Sequence, residues 1–199
     1  MKIYLIRHGK LKWEDNIKKC IGITDIGLSE EGIERAKEIS GFLEDKNINR
    51  IYTSDLRRCE QSAKIISEYL GLSYLIEENL REINMGTWEN KSFYEIKKSY
   101  PLDYEERGRN ISTFNNHKGE SFEDCYIRAV KVLEKICKNN SIDNNIVLIA
   151  HSGIIKCLIA YIDNIPLDNI LNIEQNYGAI NCISYINNKF EIKYLNKVG

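Results

Sequence analysis

Three histidines occur in the chain, and two of them directly follow its two most apolar runs. Ile3-Tyr4-Leu5-Ile6 leads into Arg7-His8-Gly9, and Ile146-Val147-Leu148-Ile149-Ala150 leads into His151-Ser152-Gly153. Buried strands that end this way deliver a cation and two imidazoles to the carboxyl edge of a sheet, where open α/β folds bind ligands. The Arg7 guanidinium is a planar fork of donors that matches a phosphoryl group. His8 becomes a nucleophile toward phosphorus if a backbone carbonyl holds Nδ1 and leaves Nε2 free. Gly9 lets the chain turn sharply beside a ligand. His151-Ser152-Gly153 opens a helix whose free N–H groups and dipole favour an anion, and His151 adds a second cationic donor. A lone histidine here would read as a core residue beside an exposed arginine. The matched pair argues for a phosphate site built around two imidazoles.

Two further segments carry suitable groups. In Tyr52-Thr53-Ser54-Asp55-Leu56-Arg57-Arg58 a strand ends near Thr53 and a helix begins near Asp55. Arg58 then lies in the first helical turn at the same sheet edge, with one of Arg57 and Arg58 facing the site and the other facing solvent. In Leu80-Arg81-Glu82-Ile83-Asn84-Met85-Gly86-Thr87-Trp88-Glu89 a carboxyl group could protonate a leaving alkoxide if its pKa is raised; the plainer alternative is an Arg81–Glu82 surface pair.

The elements that must position these groups alternate in period. Strand patterns run over 2–6, 50–53, 74–77, 146–150 and 181–186, and helical patterns over 30–46, 55–70, 122–138 and 153–162. Ser29 reads as an N-cap with Glu30 and Glu31 in the first turn, and Gly71 as a helix end. Asn187-Asn188 suggests a hairpin and hence an antiparallel edge strand. The whole implies an α/β fold: a mostly parallel sheet with helices on both faces, in one domain over 1–199. The 84–121 segment, rich in aromatics, Asn and charge, reads as a helical excursion over the sheet edge. Hydrophobic residues make up 43% and charged residues 29% of the chain, and its net charge is −1, which leaves no electrostatic footprint for nucleic acid. No run is long enough to span a bilayer. The six cysteines show no metal spacing and read as reduced thiols of a cytoplasmic protein. Tyr and Ile residues near 160–180 could form a homodimer face.

Taken in order, these stretches resemble the histidine phosphatase superfamily, in the branch that includes cofactor-dependent phosphoglycerate mutase. The resemblance rests on Leu5-Ile6-Arg7-His8-Gly9, Gly22-Ile23-Thr24-Asp25, Ser54-Asp55-Leu56-Arg57-Arg58, Leu80-Arg81-Glu82 through Trp88-Glu89, Gly119-Glu120-Ser121 with Arg128, and Ala150-His151-Ser152-Gly153. It implies a three-layer α/β/α sandwich with 84–121 covering the substrate. It implies His8 as the phosphorylated nucleophile, Arg7, Arg58 and His151 as phosphoryl-binding groups, and Glu82 as general acid and then base. Gly9, Asn16, Thr24, Ser152 and Gly153 would complete the phosphate pocket, with no metal and no cofactor.

The chain departs from such relatives after Arg7-His8-Gly9. Where they continue Glu-Thr-x-Trp-Asn, it has Lys10-Leu11-Lys12-Trp13-Glu14, so Asn16 is expected to replace the missing amide. Lys10 adds a cation near the rim. The implied activity is that of a phosphomonoesterase acting on a small phosphate ester, with α-ribazole 5′-phosphate as the suggested substrate. Phosphoglycerate mutase is the alternative, but mutases need more basic cover than Arg107, Arg109, His117 and Lys118 supply. An inert phosphate-binding module is disfavoured because Arg7, His8, Arg58, Glu82 and His151 are all present. A nucleotide-binding oxidoreductase lacks the GxGxxG turn after the first strand.

Overall fold

The computed structural model describes residues 1–12, 17 and 19–198. Six strands form one sheet: β1 (Lys2–Arg7), β2 (Ile48–Thr53), β3 (Tyr74–Ile76), β4 (Asn145–Ala150), β5 (Ile180–Ile186) and β6 (Lys189–Lys197), in the order β3-β2-β4-β1-β5-β6. Neighbours from β3 to β1 pair in parallel, and β5 pairs antiparallel with both β1 and β6. The β5–β6 hairpin turns at Asn187 and Asn188, both at positive φ. This is the antiparallel edge that the two asparagines predict.

Helices α1 (Glu30–Leu43) and α2 (Arg57–Leu70) cover one face, and α5 (Phe122–Lys138) and α6 (Ser152–Asp163) the other. Ile3 and Leu5 pack under α5 and α6, while Tyr4 and Ile6 pack under α1 and α2. A strand covered on both faces needs a continuous apolar run, which is why β1 and β4 were the strongest signals in the sequence. Ser29 accepts a bond from the Gly32 N–H and caps α1, and Gly71 ends α2 in the left-handed region at φ +66°. All six cysteines are buried free thiols. Among the described residues no helix is long and apolar enough to cross a membrane.

Between β3 and α5 lie two short helices, α3 (Phe93–Ser99) and α4 (Pro101–Arg109). They pack around Trp88, Ile96 and Cys20 in a satellite core. Of the aromatics in this stretch, Trp88 is fully buried there and Tyr94 is largely exposed.

The site is placed by the sheet. The chain leaves β1 toward α1 on one face and leaves β4 toward α6 on the other, so a crevice opens between their carboxyl ends. The register sets Arg7 opposite Ala150. The residues that follow, His8 and His151, therefore emerge side by side, and the His8 N–H continues the ladder to the Ala150 carbonyl at 3.1 Å. On the far side of β4, the Ser54 N–H bonds the Ile149 carbonyl at 3.2 Å, which brings the start of α2 to the same edge.

Candidate active site

The two imidazoles stand 5.1 Å apart, centroid to centroid, and both are buried. The His8 Nδ1 lies 2.7 Å from the Gly9 carbonyl oxygen. A carbonyl only accepts, so Nδ1 carries the proton and Nε2 keeps its lone pair. His151 is in the opposite tautomer. The Arg58 Nε–H donates to its Nδ1 at 3.0 Å, which leaves the proton on Nε2, 2.9 Å from the Ser54 hydroxyl and 3.3 Å from the Cys59 sulfur. Burial first, then the Arg58 charge, hold both imidazoles well below the usual histidine range. His151 is therefore a neutral donor rather than the second cation expected from its position.

Arg58 is 1% exposed and Arg57 is exposed, which resolves the choice between them. The Arg58 guanidinium also donates to the Thr24 carbonyl at 2.8 Å and the Gly22 carbonyl at 2.6 Å. Arg7 donates to the Gln175 carbonyl at 2.7 Å and stacks on the Tyr177 ring, 3.8 Å from its centroid. Its Nε is buried without a protein partner. The same tyrosine ring lies 5.7 Å from that of His8. Sequence reasoning missed Tyr177, having read the 160–180 region as a dimer face. The available signal was a Tyr-Gly step directly before a strand.

Glu82 is 8% exposed and does not pair with Arg81. Arg81 instead forks onto Asp55. The Glu82 carboxylate caps α6, accepting from the Gly153 N–H at 3.0 and 3.1 Å and from the Ile83 N–H at 2.9 Å. The helix end does hold a carboxyl group, that of Glu82, and the Gly153 N–H expected to face phosphate is already occupied. Gly153 is required at this spot because a Cβ there would lie 2.4 Å from Glu82 Oε1. Arg128 braces the segment from behind, pairing with Glu120 and donating to the Asn79 and Arg81 carbonyls at 2.8 and 2.9 Å.

The remaining expected residues fall differently. Gly9 is needed not for a turn but for close packing, since a Cβ would lie 2.5 Å from the Gly32 carbonyl oxygen. The Thr24 hydroxyl, expected at the phosphate, bonds Glu89. Ser152 opens α6 next to His151 and is half-buried. Asn16, Trp13 and Glu14 lie outside the described residues. Lys10 is paired with Glu31 on the surface, and His117 is exposed.

Residues 3–198 match the model of the histidine phosphatase superfamily, branch 1. Human 6-phosphofructo-2-kinase/fructose-2,6-bisphosphatase 4 is 37% identical over 161 residues, which is 80% of this chain and 32% of that protein. The chain thus spans about a third of the length of this curated relative. Among solved structures, Bacillus stearothermophilus YhfR superposes with a TM-score of 0.91 at 26% identity, covering 100% of this chain and 98% of the other. The α-ribazole phosphatase from Shigella flexneri superposes at 0.90 and 21% identity, covering 99% and 96%, a likeness of fold alone. With the family match running almost end to end, over a site that gathers both histidines, both arginines and the buried glutamate, the chain belongs to the histidine phosphatase superfamily.

Proposed function

We propose that the chain hydrolyses small phosphate monoesters through a phosphohistidine at His8. The observation that carries this reading is the free Nε2 of His8 between two arginines that, among the described residues, form no ion pair with a carboxylate. Arg7 and Arg58 are held by backbone carbonyls, so their charge remains available to a phosphoryl dianion. Nε2 attacks phosphorus while Arg7, Arg58 and the His151 Nε2–H take the phosphoryl oxygens and stabilise their developing charge. Glu82 enters this step as the carboxylic acid, gives its proton to the departing oxygen, and as the resulting carboxylate takes a proton from the water that attacks the phosphohistidine, which restores the acid. The products are the alcohol and inorganic phosphate, with His8 regenerated.

Hydrolysis is favoured over mutase activity by the cations of the 84–121 segment. Arg109 pairs with Glu105 on the surface, while His117 and Lys118 are exposed. Arg107 is half-buried, lining a cavity of about 40 Å³ with Met85, Trp88 and Phe114. That is a thin set for holding a bisphosphate while water is excluded.

The test is phosphate release from a panel with EDTA present and His8→Ala as control. The panel contains α-ribazole 5′-phosphate, fructose 2,6-bisphosphate, 3-phosphoglycerate, phosphoserine and p-nitrophenyl phosphate. Release that survives EDTA and disappears in His8→Ala supports the reading, and the panel ranks the alcohol half. Substantial turnover by His8→Ala removes His8 as the nucleophile.

A further inference from the structure

The Glu89 carboxylate gathers more donors than any other in the site region. Oε1 accepts from the Ile23 N–H at 2.8 Å and the Met85 N–H at 3.0 Å. Oε2 accepts from the Gly22 and Thr24 N–H groups at 3.2 and 3.1 Å, and from the Thr24 hydroxyl. Three successive backbone N–H groups converging on one anion form a nest.

The other side of the same backbone holds Arg58. The peptide group between Gly22 and Ile23 donates its N–H to Glu89 and accepts from Arg58 Nη2 on its carbonyl at 2.6 Å. Anion, peptide dipole and cation lie in series, an arrangement in which each bond strengthens the next. The Thr24 carbonyl takes the second Arg58 nitrogen. The packing leaves no slack, since a Cβ on Gly22 would lie 2.2 Å from the Ile83 carbonyl oxygen and 2.3 Å from Glu89 Oε1. Through Met85, Glu89 also pins this mount to the segment that carries Glu82.

We infer that Glu89 is a positioning residue for the reaction: it fixes the 22–24 backbone so that Arg58 is aimed at the phosphoryl group and at His151. The inference rests on the reading of Arg58 as a phosphoryl-binding group. It assigns Thr24 to the mount of Arg58 rather than to the substrate.

The experiment is a double-mutant cycle of Glu89→Gln and Arg58→Ala, read by kcat, KM and the affinity for orthovanadate. Glutamine keeps one acceptor but turns an NH₂ toward the nest. Alone, it should lower kcat/KM on p-nitrophenyl phosphate by about 10- to 100-fold, the range for losing a hydrogen bond to a charged group. In the Arg58→Ala background it should cost less than about 3-fold, because the group it positions is gone. The acid limb of kcat/KM should also move to higher pH, since the Arg58 charge helps hold His8 and His151 neutral. Glu95→Gln, which alters a comparable carboxylate on Ser92 in the same excursion, should leave all three quantities unchanged.

Full additivity, or a loss of thermal stability with vanadate affinity and pH profile intact, overturns the inference and leaves the phosphohistidine reading standing. An Arg58→Ala protein with normal vanadate affinity and turnover overturns both. Should Glu89→Gln fail to fold, Thr24→Val decides, because it deletes only the hydroxyl on Glu89. It should weaken vanadate binding several-fold, and unchanged binding overturns the inference.

Discussion

Gly153→Ala tests the placement of the proposed acid through one added methyl group. The new Cβ would lie 2.4 Å from Glu82 Oε1, about 1 Å inside ordinary van der Waals contact, with Ile83 Cγ2 at 3.2 Å on its other side. The carboxylate cannot take the methyl group in its stride, because the same oxygen accepts the Gly153 N–H at 3.0 Å and the Ile83 N–H at 2.9 Å. It must move about 1 Å, and a displacement of that size in a reacting group can cost about 100-fold in rate, or about 2.7 kcal/mol in the barrier. The backbone itself tolerates alanine, since Gly153 is not among the glycines at positive φ. Alanine in place of glycine gains up to about 1 kcal/mol of helix propensity, against about 1.5–3 kcal/mol for the weakened bond to the carboxylate. The net change in stability should therefore stay within about 2 kcal/mol. The assay is steady-state kinetics on an alkyl phosphate and on p-nitrophenyl phosphate, beside a urea titration. The alkyl ester needs a proton on its departing oxygen, so its kcat should fall by about 100-fold. The aryl ester, whose leaving group needs little protonation, should fall by less than about 10-fold. Equal losses on both esters, or full activity on the alkyl ester, would refute the placement of Glu82 as the acid.

Two further expectations follow from the site. Both buried imidazoles have pKa values well below the ordinary value of 6.5, so below that pH the unfolded chain binds protons the folded one refuses. Stability is complete above pH 6.5 and declines as pH falls toward the folded-state values. Urea midpoints measured between about pH 7.5 and 5.5 should fall, and His151→Gln should flatten that slope; an unchanged slope would mean that His151 is not held neutral. Tyr177→Leu removes the face on which Arg7 lies and should raise the KM for p-nitrophenyl phosphate by about 3- to 10-fold, whereas Tyr177→Phe keeps the ring and should stay within about 2-fold. A phenylalanine variant as impaired as the leucine variant would count against stacking.

Much of this site could be read from the sequence because the sheet does the positioning. Two fully covered parallel strands require unbroken apolar runs, and adjacent strands in register must deliver their next residues side by side. His8 and His151 were legible for that reason, and Arg58 because a helix begins directly after β2. What stayed hidden depends on contacts between distant segments. The burial of Glu82 is set by Gly153, 71 residues on, and by the Glu120–Arg128 pair. Nothing local to Arg81-Glu82 distinguishes that outcome from a surface pair, and the true partner of Arg81 is Asp55, in another loop. Gly9 was legible as a glycine that matters, but its reason lies in the backbone of Gly32. Thr24 carried a phosphate-binding look, and its neighbourhood does hold Arg58, through its carbonyl rather than its hydroxyl.

Among the described residues, the two arginines beside the histidine pair are held differently from four of the others. Arg35, Arg81, Arg109 and Arg128 each pair with a carboxylate. Arg7 and Arg58 bond carbonyls, which orient a guanidinium without cancelling its charge. After burial itself, these cations add to the suppressed protonation of both imidazoles. The suppression serves the chemistry. A histidine protonated on both nitrogens cannot attack phosphorus, and one kept neutral by burial and by two fixed cations retains its lone pair below the usual histidine range. When a phosphoryl dianion enters, it supplies the charge that Arg7 and Arg58 lack. The Arg58–His151 bond then fixes which proton His151 offers, on Nε2. Glu82 lies close enough to act on the Arg7 charge. The Gly153 N–H draws it to the end of α6, where the proposed reaction has it trade a proton with the leaving oxygen without occupying the phosphate's place.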